Sequence, residues 1–219
     1  MDYRYERKFL IKDFEENQIE SIIKRHQAQF SEIFESRIVN NIYFDTINML
    51  NFSDNIIGIS KRSKIRIRWY GSTFGHVEKP ILEIKIKKGL LGRKIKYPLK
   101  SFSLNNNFNQ EYIHNILQKS KLPINVNNYL KPLKISLLNN YKRKYFKSAN
   151  NKFRITVDSL LKYYKVNLIF NNFIYKIVDK ESVIMELKYN QNLDDQAINI
   201  TNGFPFRLTK NSKYINGIE

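Results

Sequence analysis

Lys64-Ile65-Arg66-Ile67-Arg68-Trp69 reads as a β-strand with two chemically opposite faces. Side chains alternate across a strand, so Lys64, Arg66 and Arg68 share one face and Ile65, Ile67 and Trp69 the other. The same scheme recurs along the chain. Leu82 to Lys87 sets Glu83, Lys85 and Lys87 together, and Met185 to Tyr189 sets Glu186 beside Lys188. Near the start, Arg4, Glu6 and Lys8 oppose Tyr5 and Phe9. Arg143 with Tyr145, and Arg154 with Thr156 and Asp158, add further polar faces. Any one of these strands reads well as the wetted face of an ordinary antiparallel sheet. The set reads differently. A sheet closed on itself, apolar face outward under helices, would gather the cations into one lumen. Like charges facing each other there are destabilising unless an anion lies between them. Arg and Lys so gathered suit phosphate, Arg as a fork of donors and Lys as a point charge.

Working outward, strands are expected over Tyr3 to Ile11, Arg37 to Asp45, Lys61 to Tyr70, Ile81 to Lys87, Arg93 to Leu99, Tyr141 to Phe146, Lys152 to Asp158, Tyr163 to Phe170 and Ser182 to Tyr189. The connections are too short for repeated crossover helices, so the sheet is expected to be mainly antiparallel. Asp13, with Glu16 three residues on, predicts a capped helix that places Ile19, Ile22, Ile23 and His26 on one face. Glu111 to Lys119 predicts a second helix, and Tyr129 to Leu138 a weaker one disturbed by Pro132. The class is α+β, an antiparallel β-barrel with a basic lumen and a few flanking helices.

The 219 residues include 38 Lys and Arg against 20 Asp and Glu, a net charge of +18. That excess points to a polyanionic partner: nucleic acid, polyphosphate, nucleotide or an anionic membrane surface. Abundant Ile, Asn and Lys also match what an A/T-rich genome imposes, so the placement of charge carries more weight than its sum. The absence of Cys removes disulfides, thiolate nucleophiles and Cys-ligated metals. The apolar runs are too short for a membrane span or a secretory signal, which gives a cytoplasmic expectation. Without a Pro-rich or Gly/Ser-rich linker, residues 1–219 are expected to form one stand-alone domain.

Arg-Tyr-Glu-Arg-Lys-Phe (4–9), Asn-Ile-Tyr-Phe-Asp-Thr (41–46), Lys-Ile-Arg-Ile-Arg-Trp-Tyr-Gly (64–71), Leu-Glu-Ile-Lys (82–85), Tyr-Lys-Arg-Lys-Tyr (141–145), Arg-Ile-Thr-Val-Asp (154–158), Met-Glu-Leu-Lys-Tyr (185–189) and Ser-Lys-Tyr (212–214) together resemble the VTC domain. This is the polyphosphate polymerase domain of the vacuolar transporter chaperone complex, one of the triphosphate tunnel metalloenzymes. Each motif is short, but they occur in the family's order over nearly the whole chain.

The resemblance implies roles. Lys8, Arg66, Arg68, Lys85, Arg143 and Arg154 would grip the triphosphate of ATP or the growing polyphosphate. Lys94 with Lys96, Tyr141, Lys188, Ser212 and Lys213 would line the substrate. Glu186 would bind Mn²⁺ or Mg²⁺, and Glu6 and Glu83 would support lysines or metal. The implied reaction moves the terminal phosphoryl group of ATP onto a polyphosphate end and releases ADP. A tunnel triphosphatase or tripolyphosphatase, or a non-catalytic module for polyphosphate or nucleic acid, would use the same cations. Association with a separate membrane protein stays open.

Other features read blandly. His26 is expected to pack, and His76 and His114 have no ligand partners at metal spacing. The loop from Gly89 to Gly92 reads as a hairpin turn, Trp69 as core, and Lys142 and Lys144 as solvated exterior charges.

Overall fold

Ile65, Ile67 and Trp69 are buried in one apolar layer, with Arg66 and Arg68 on the opposite face of the same strand. The structure is a computed structural model and describes residues 4–89 and 91–219. In chain order the first elements are β1 (Arg4–Ile11), α1 (Glu16–Arg25), β2 (Ser31–Asp45), α2 (Leu50–Ile57), β3 (Lys61–Tyr70), β4 (Gly75–Val77), β5 (Ile81–Lys88) and β6 (Leu91–Pro98). There follow β7 (Phe102–Leu104), α3 (Gln110–Lys119), α4 (Ile124–Leu130), β8 (Lys134–Lys147), β9 (Arg154–Lys165), β10 (Lys176–Asp179), β11 (Val183–Asn190), a short 3₁₀ turn and α5 (Asp194–Asn202).

The main sheet runs β1-β11-β9-β8-β2-β3-β5-β6, with β10 added to β9, while β4 and β7 form a separate ribbon. Every ladder is antiparallel. The end strands β1 and β6 approach each other, and Lys85 on β5 reaches Glu6 on β1 at 2.9 Å. No ladder joins β1 to β6 among the described residues. The sheet thus curls into a tunnel-like barrel with an open seam.

Its outward faces carry the apolar cores. Ile65, Ile67, Leu82 and Ile84 pack against Ile113 and Leu117 of α3 and Val126 and Leu130 of α4. Phe9, Ile155, Val157 and Met185 pack against Ile19 and Ile23 of α1 and Ala197 and Ile200 of α5. Each of the larger side chains, Ala197 apart, contributes about 1.5–3 kcal/mol by leaving water, which stabilises an inside-out arrangement with its polar faces inward.

Several expectations need correction. The helix near Asp13 is capped by Glu15, whose box partner is Gln18. The segment from Tyr129 to Leu138 is not one helix. α4 ends at Leu130, Pro132 offers no N–H to continue it, and β8 begins at Lys134. The strands expected over Lys152 to Asp158 and Tyr163 to Phe170 are a single β9 that ends at Lys165. Leu160 takes a left-handed φ of 53° within it, and the β8–β9 register slips between Asn140 and Lys142. This bulge turns Leu161 and Tyr163 inward, where they join Val39, Tyr43, Leu137, Tyr141, Ile184 and Tyr214. The interior is therefore part charged and part apolar. Helices α2 and α5 are additional to the helices the sequence predicts. Lys142 and Lys144 are not simply solvated, because they pair with Glu16 and Glu20 of α1. Tyr3 and Leu90 lie outside the described residues, and Leu91 and Gly92 of the expected hairpin turn belong to β6.

His26 packs as expected. Its ring stacks on Phe204 at 4.4 Å, its Nδ1 accepts from the Ala28 N–H, and its Nε2 lies 3.0 Å from the Ile200 carbonyl. Trp69 is core and donates Nε1–H to the Ser72 carbonyl.

Candidate functional site: a cationic lumen

The lumen is assembled by strand register. On β3 the even positions Lys64, Arg66 and Arg68 stand opposite Lys85, Glu83 and Ile81 of β5. On the other wall Lys8 of β1 faces Glu186 of β11, which faces Thr156 of β9. Arg143 of β8 faces Asp158 of β9. Lys213 arrives from the C-terminal turn rather than from a strand.

Three carboxylates, Glu186, Asp158 and Glu83, organise these cations. Glu186 receives Lys188 at 2.6 Å, Lys8 at 3.2 Å, and Arg143 and Lys213 at 3.8 Å. Burial pushes its carboxyl pKa up, but those cations outweigh it and hold the group well below the ordinary carboxylate range. Asp158 is fully buried and accepts from Nε and Nη2 of Arg143, at 2.5 and 2.6 Å, and lies 2.5 Å from the Lys213 ammonium. On the facing wall Glu83 takes Arg66 at 2.6 Å and Lys94 at 3.3 Å, with Arg68 at 3.7 Å. Burial raises its pKa as well, and Arg66, Arg68 and Lys94 again outweigh this and lower it.

Tyr141 lies between the walls. Its hydroxyl accepts a hydrogen bond from Arg68 at 3.0 Å. The Arg143 guanidinium and the Lys213 ammonium lie 5.1 and 4.8 Å from its ring centroid. The C-terminal turn is itself held in place: Tyr214 donates to Asp45 at 2.5 Å and stacks on Tyr43 at 5.0 Å.

The structure thus brings together Lys8, Arg66, Arg68, Lys85, Lys94, Arg143, Tyr141, Lys188, Lys213, Glu6, Glu83 and Glu186. Ser212 joins them by accepting from Lys64 at 2.7 Å. Arg154 and Lys96 stand apart. Both share the register of lumen residues, opposite Lys188 and Glu83, yet both are exposed and neither forms an ion pair among the described residues. Two residues carried more than the motifs assigned to them. Asp158 closes the Arg-Ile-Thr-Val-Asp stretch and holds two cations. Lys64 begins the Lys-x-Arg-x-Arg face and has no carboxylate partner among the described residues. Burial, then Lys8, Lys85, Arg62 and Lys87, lower its pKa to about 7. Burial and Arg66 outweigh Glu83 at Lys94 and lower that pKa to about 7 as well.

A basic interior threaded by ion pairs and enclosed by an antiparallel barrel is the architecture the motifs implied. The family model for the VTC domain matches residues 3–219. The chain belongs to the VTC domain family. No curated protein is significantly similar to it in sequence. Among solved structures, the VTC chain is similar to a candidate adenylate cyclase from Vibrio parahaemolyticus, with a TM-score of 0.56 and 10% identity over 97% of this chain and 95% of that one. It is also similar to a candidate adenylyl cyclase from Hippeastrum described as having a dominant triphosphatase activity, with a TM-score of 0.53 and 12% identity over 98% and 93% of the two chains. A conserved protein from Pyrococcus furiosus gives a TM-score of 0.53 at 11% identity over 96% and 98%. At these identities the likeness concerns the fold, which is the triphosphate tunnel.

The tunnel superfamily is one of metalloenzymes, so a divalent cation is implied. No group of three or more acidic, His or Cys side chains suited to a metal exists among the described residues. Glu6 and Glu83 are occupied by Lys85 and by Arg66 and Lys94, so they read as partners of cations. Glu186 is also engaged, with Lys188 at 2.6 Å and Lys8 at 3.2 Å, so a metal there would compete with those cations. Its carboxylate is an ionised hard-oxygen donor inside the lumen, suited to an ion that takes its remaining ligands from phosphate and water. No helix among the described residues is long and apolar enough to cross a membrane.

Proposed function

We propose that this VTC domain is a polyphosphate polymerase that transfers the terminal phosphoryl group of ATP to the end of a polyphosphate chain. The β–γ bridging P–O bond breaks, a P–O bond forms to the acceptor's terminal oxygen, and ADP leaves. The observation that carries the reading is the convergence of Arg66, Arg68, Arg143, Lys8 and Lys213 on one enclosed space, where the acids are already engaged. Phosphoryl transfer asks a protein chiefly for alignment and charge neutralisation. The guanidiniums supply paired donors to equatorial oxygens, and the Glu83 and Asp158 carboxylates hold them in place. Glu186 would hold a bound Mg²⁺ or Mn²⁺, which would neutralise charge shared between donor and acceptor phosphates.

A triphosphatase would use the same cradle with water as acceptor. The test is incubation of purified protein with ATP and Mn²⁺ or Mg²⁺. Polyphosphate is expected, with one ADP released for each phosphate residue incorporated. Free phosphate without polymer would assign hydrolysis, and unchanged ATP with tight polyphosphate binding would assign a binding module.

A further inference from the structure

We infer that one mouth of the tunnel is a nucleobase subsite, formed by Phe34, Tyr70 and Tyr145 around Arg37. The inference rests on the proposed use of a nucleoside triphosphate and adds how its base is read. The Arg37 guanidinium carbon lies 5.2 Å from the Phe34 ring centroid and 5.9 Å from those of Tyr70 and Tyr145. Phe34 and Tyr145 meet edge to face at 5.8 Å. Phe34 and Tyr70 are 52% and 48% exposed, so both rings have faces open to a ligand. Among the described residues Arg37 takes its contacts from rings, and no carboxylate holds it.

Register places the cluster on the lumen side. Arg37 stands opposite Arg143, and Phe34 opposite Tyr145. Tyr145 stands opposite Thr156, and Tyr70 is two residues beyond Arg68 on the same face. The β2–β8 ladder slips on both sides of Phe34, the kind of irregularity that re-aims side chains at the rim of a barrel. Two residues along a strand span about 7 Å, roughly the length of a ribose between a base and its first phosphate. A triphosphate on Arg68 and Arg143 would therefore set its base among the rings, with the terminal phosphate pointing inward. Planar rings and a guanidinium offer a base stacking and cation–π contact without hydrogen-bond readout, so purines should be accepted with little discrimination.

The experiment is calorimetric titration of ATP and of inorganic tripolyphosphate, without divalent ion, into the wild type, Tyr70→Phe, and the double variant Phe34→Ala/Tyr70→Ala. A parallel titration follows the fluorescence of 2-aminopurine riboside triphosphate. Loss of two stacking surfaces should weaken ATP about tenfold or more, leave tripolyphosphate within about two-fold, and spare Tyr70→Phe. Fluorescence should be quenched on the wild type and less so on the double variant. Equal losses for both ligands, or none for ATP, would overturn the subsite while the tunnel reading stands. If the double variant does not fold, tight binding of the 2-aminopurine probe to wild type without quenching overturns it as well. A wild type that binds neither ligand, with or without Mg²⁺, removes the subsite together with the proposed function.

Discussion

Lys213 places its ammonium 2.5 Å from the Asp158 carboxylate, joining a C-terminal turn to the middle of β9 inside the barrel. Asp158 also holds Arg143 bidentately, so one buried carboxylate positions two cations from different parts of the chain. Breaking a buried pair by removing one member leaves the other charge uncompensated, at about 3–5 kcal/mol. Asp158→Asn should therefore lower unfolding stability by that order in denaturant titration. Tripolyphosphate should restore more stability to the variant than to wild type, since it replaces the missing negative charge. Unchanged stability would show that the pairing is incidental.

Glu186 distinguishes metal chemistry from charge placement. It lies 2.6 Å from Lys188, so it could serve only to orient that lysine. If it holds the metal, Glu186→Gln should abolish turnover while metal-free polyphosphate binding holds or tightens, one repelling charge having been removed. If it only orients Lys188, binding should weaken with and without metal alike. Near-normal turnover of the variant at limiting Mn²⁺ would exclude the metal role.

Lys64 makes binding pH-dependent. Its pKa in the free protein is lowered to about 7, whereas in the unfolded chain it has the ordinary lysine value. Between those limits the unfolded state holds more protons, so this group's contribution makes stability rise with pH across the window. A bound polyanion favours the charged amine, so binding at about pH 8 should take up protons. Calorimetry in two buffers of different ionisation enthalpy measures the uptake, and Lys64→Met should reduce it. Lys94, also lowered to about 7, should account for much of the rest. Binding without proton uptake at that pH would contradict both assignments.

A lumen built for a chain of phosphates should rank its ligands by length. Thermal stability should rise more with tripolyphosphate than with pyrophosphate, and least with phosphate, by mass action on the folded state. The shifts should shrink with added salt, since the contacts are largely Coulombic. Equal shifts for all three anions would deny a site shaped for a phosphate chain.

Much of this was legible in the sequence. Period-2 alternation assigned Arg66 and Arg68 to one face and Ile65 and Ile67 to the other, because the hand of each side chain is a local property of a strand. The motifs were local too, so the cations of the candidate site could be named before any contact was known. What the tertiary structure decided is non-local. Leu160 alone gives no sign that it will take a left-handed φ and carry β9 onward with Leu161 and Tyr163 turned inward. Glu83, Glu186 and Asp158 each had several cations within reach of their sequence pattern, and only strand register and the path of the C-terminal turn chose the partners. Arg154 shows the converse: it stands opposite Lys188 in the lumen register, yet its place at the start of β9 leaves it in solvent. A strand's pattern states which face a side chain takes, whereas enclosure and pairing depend on which other strands the barrel brings against it.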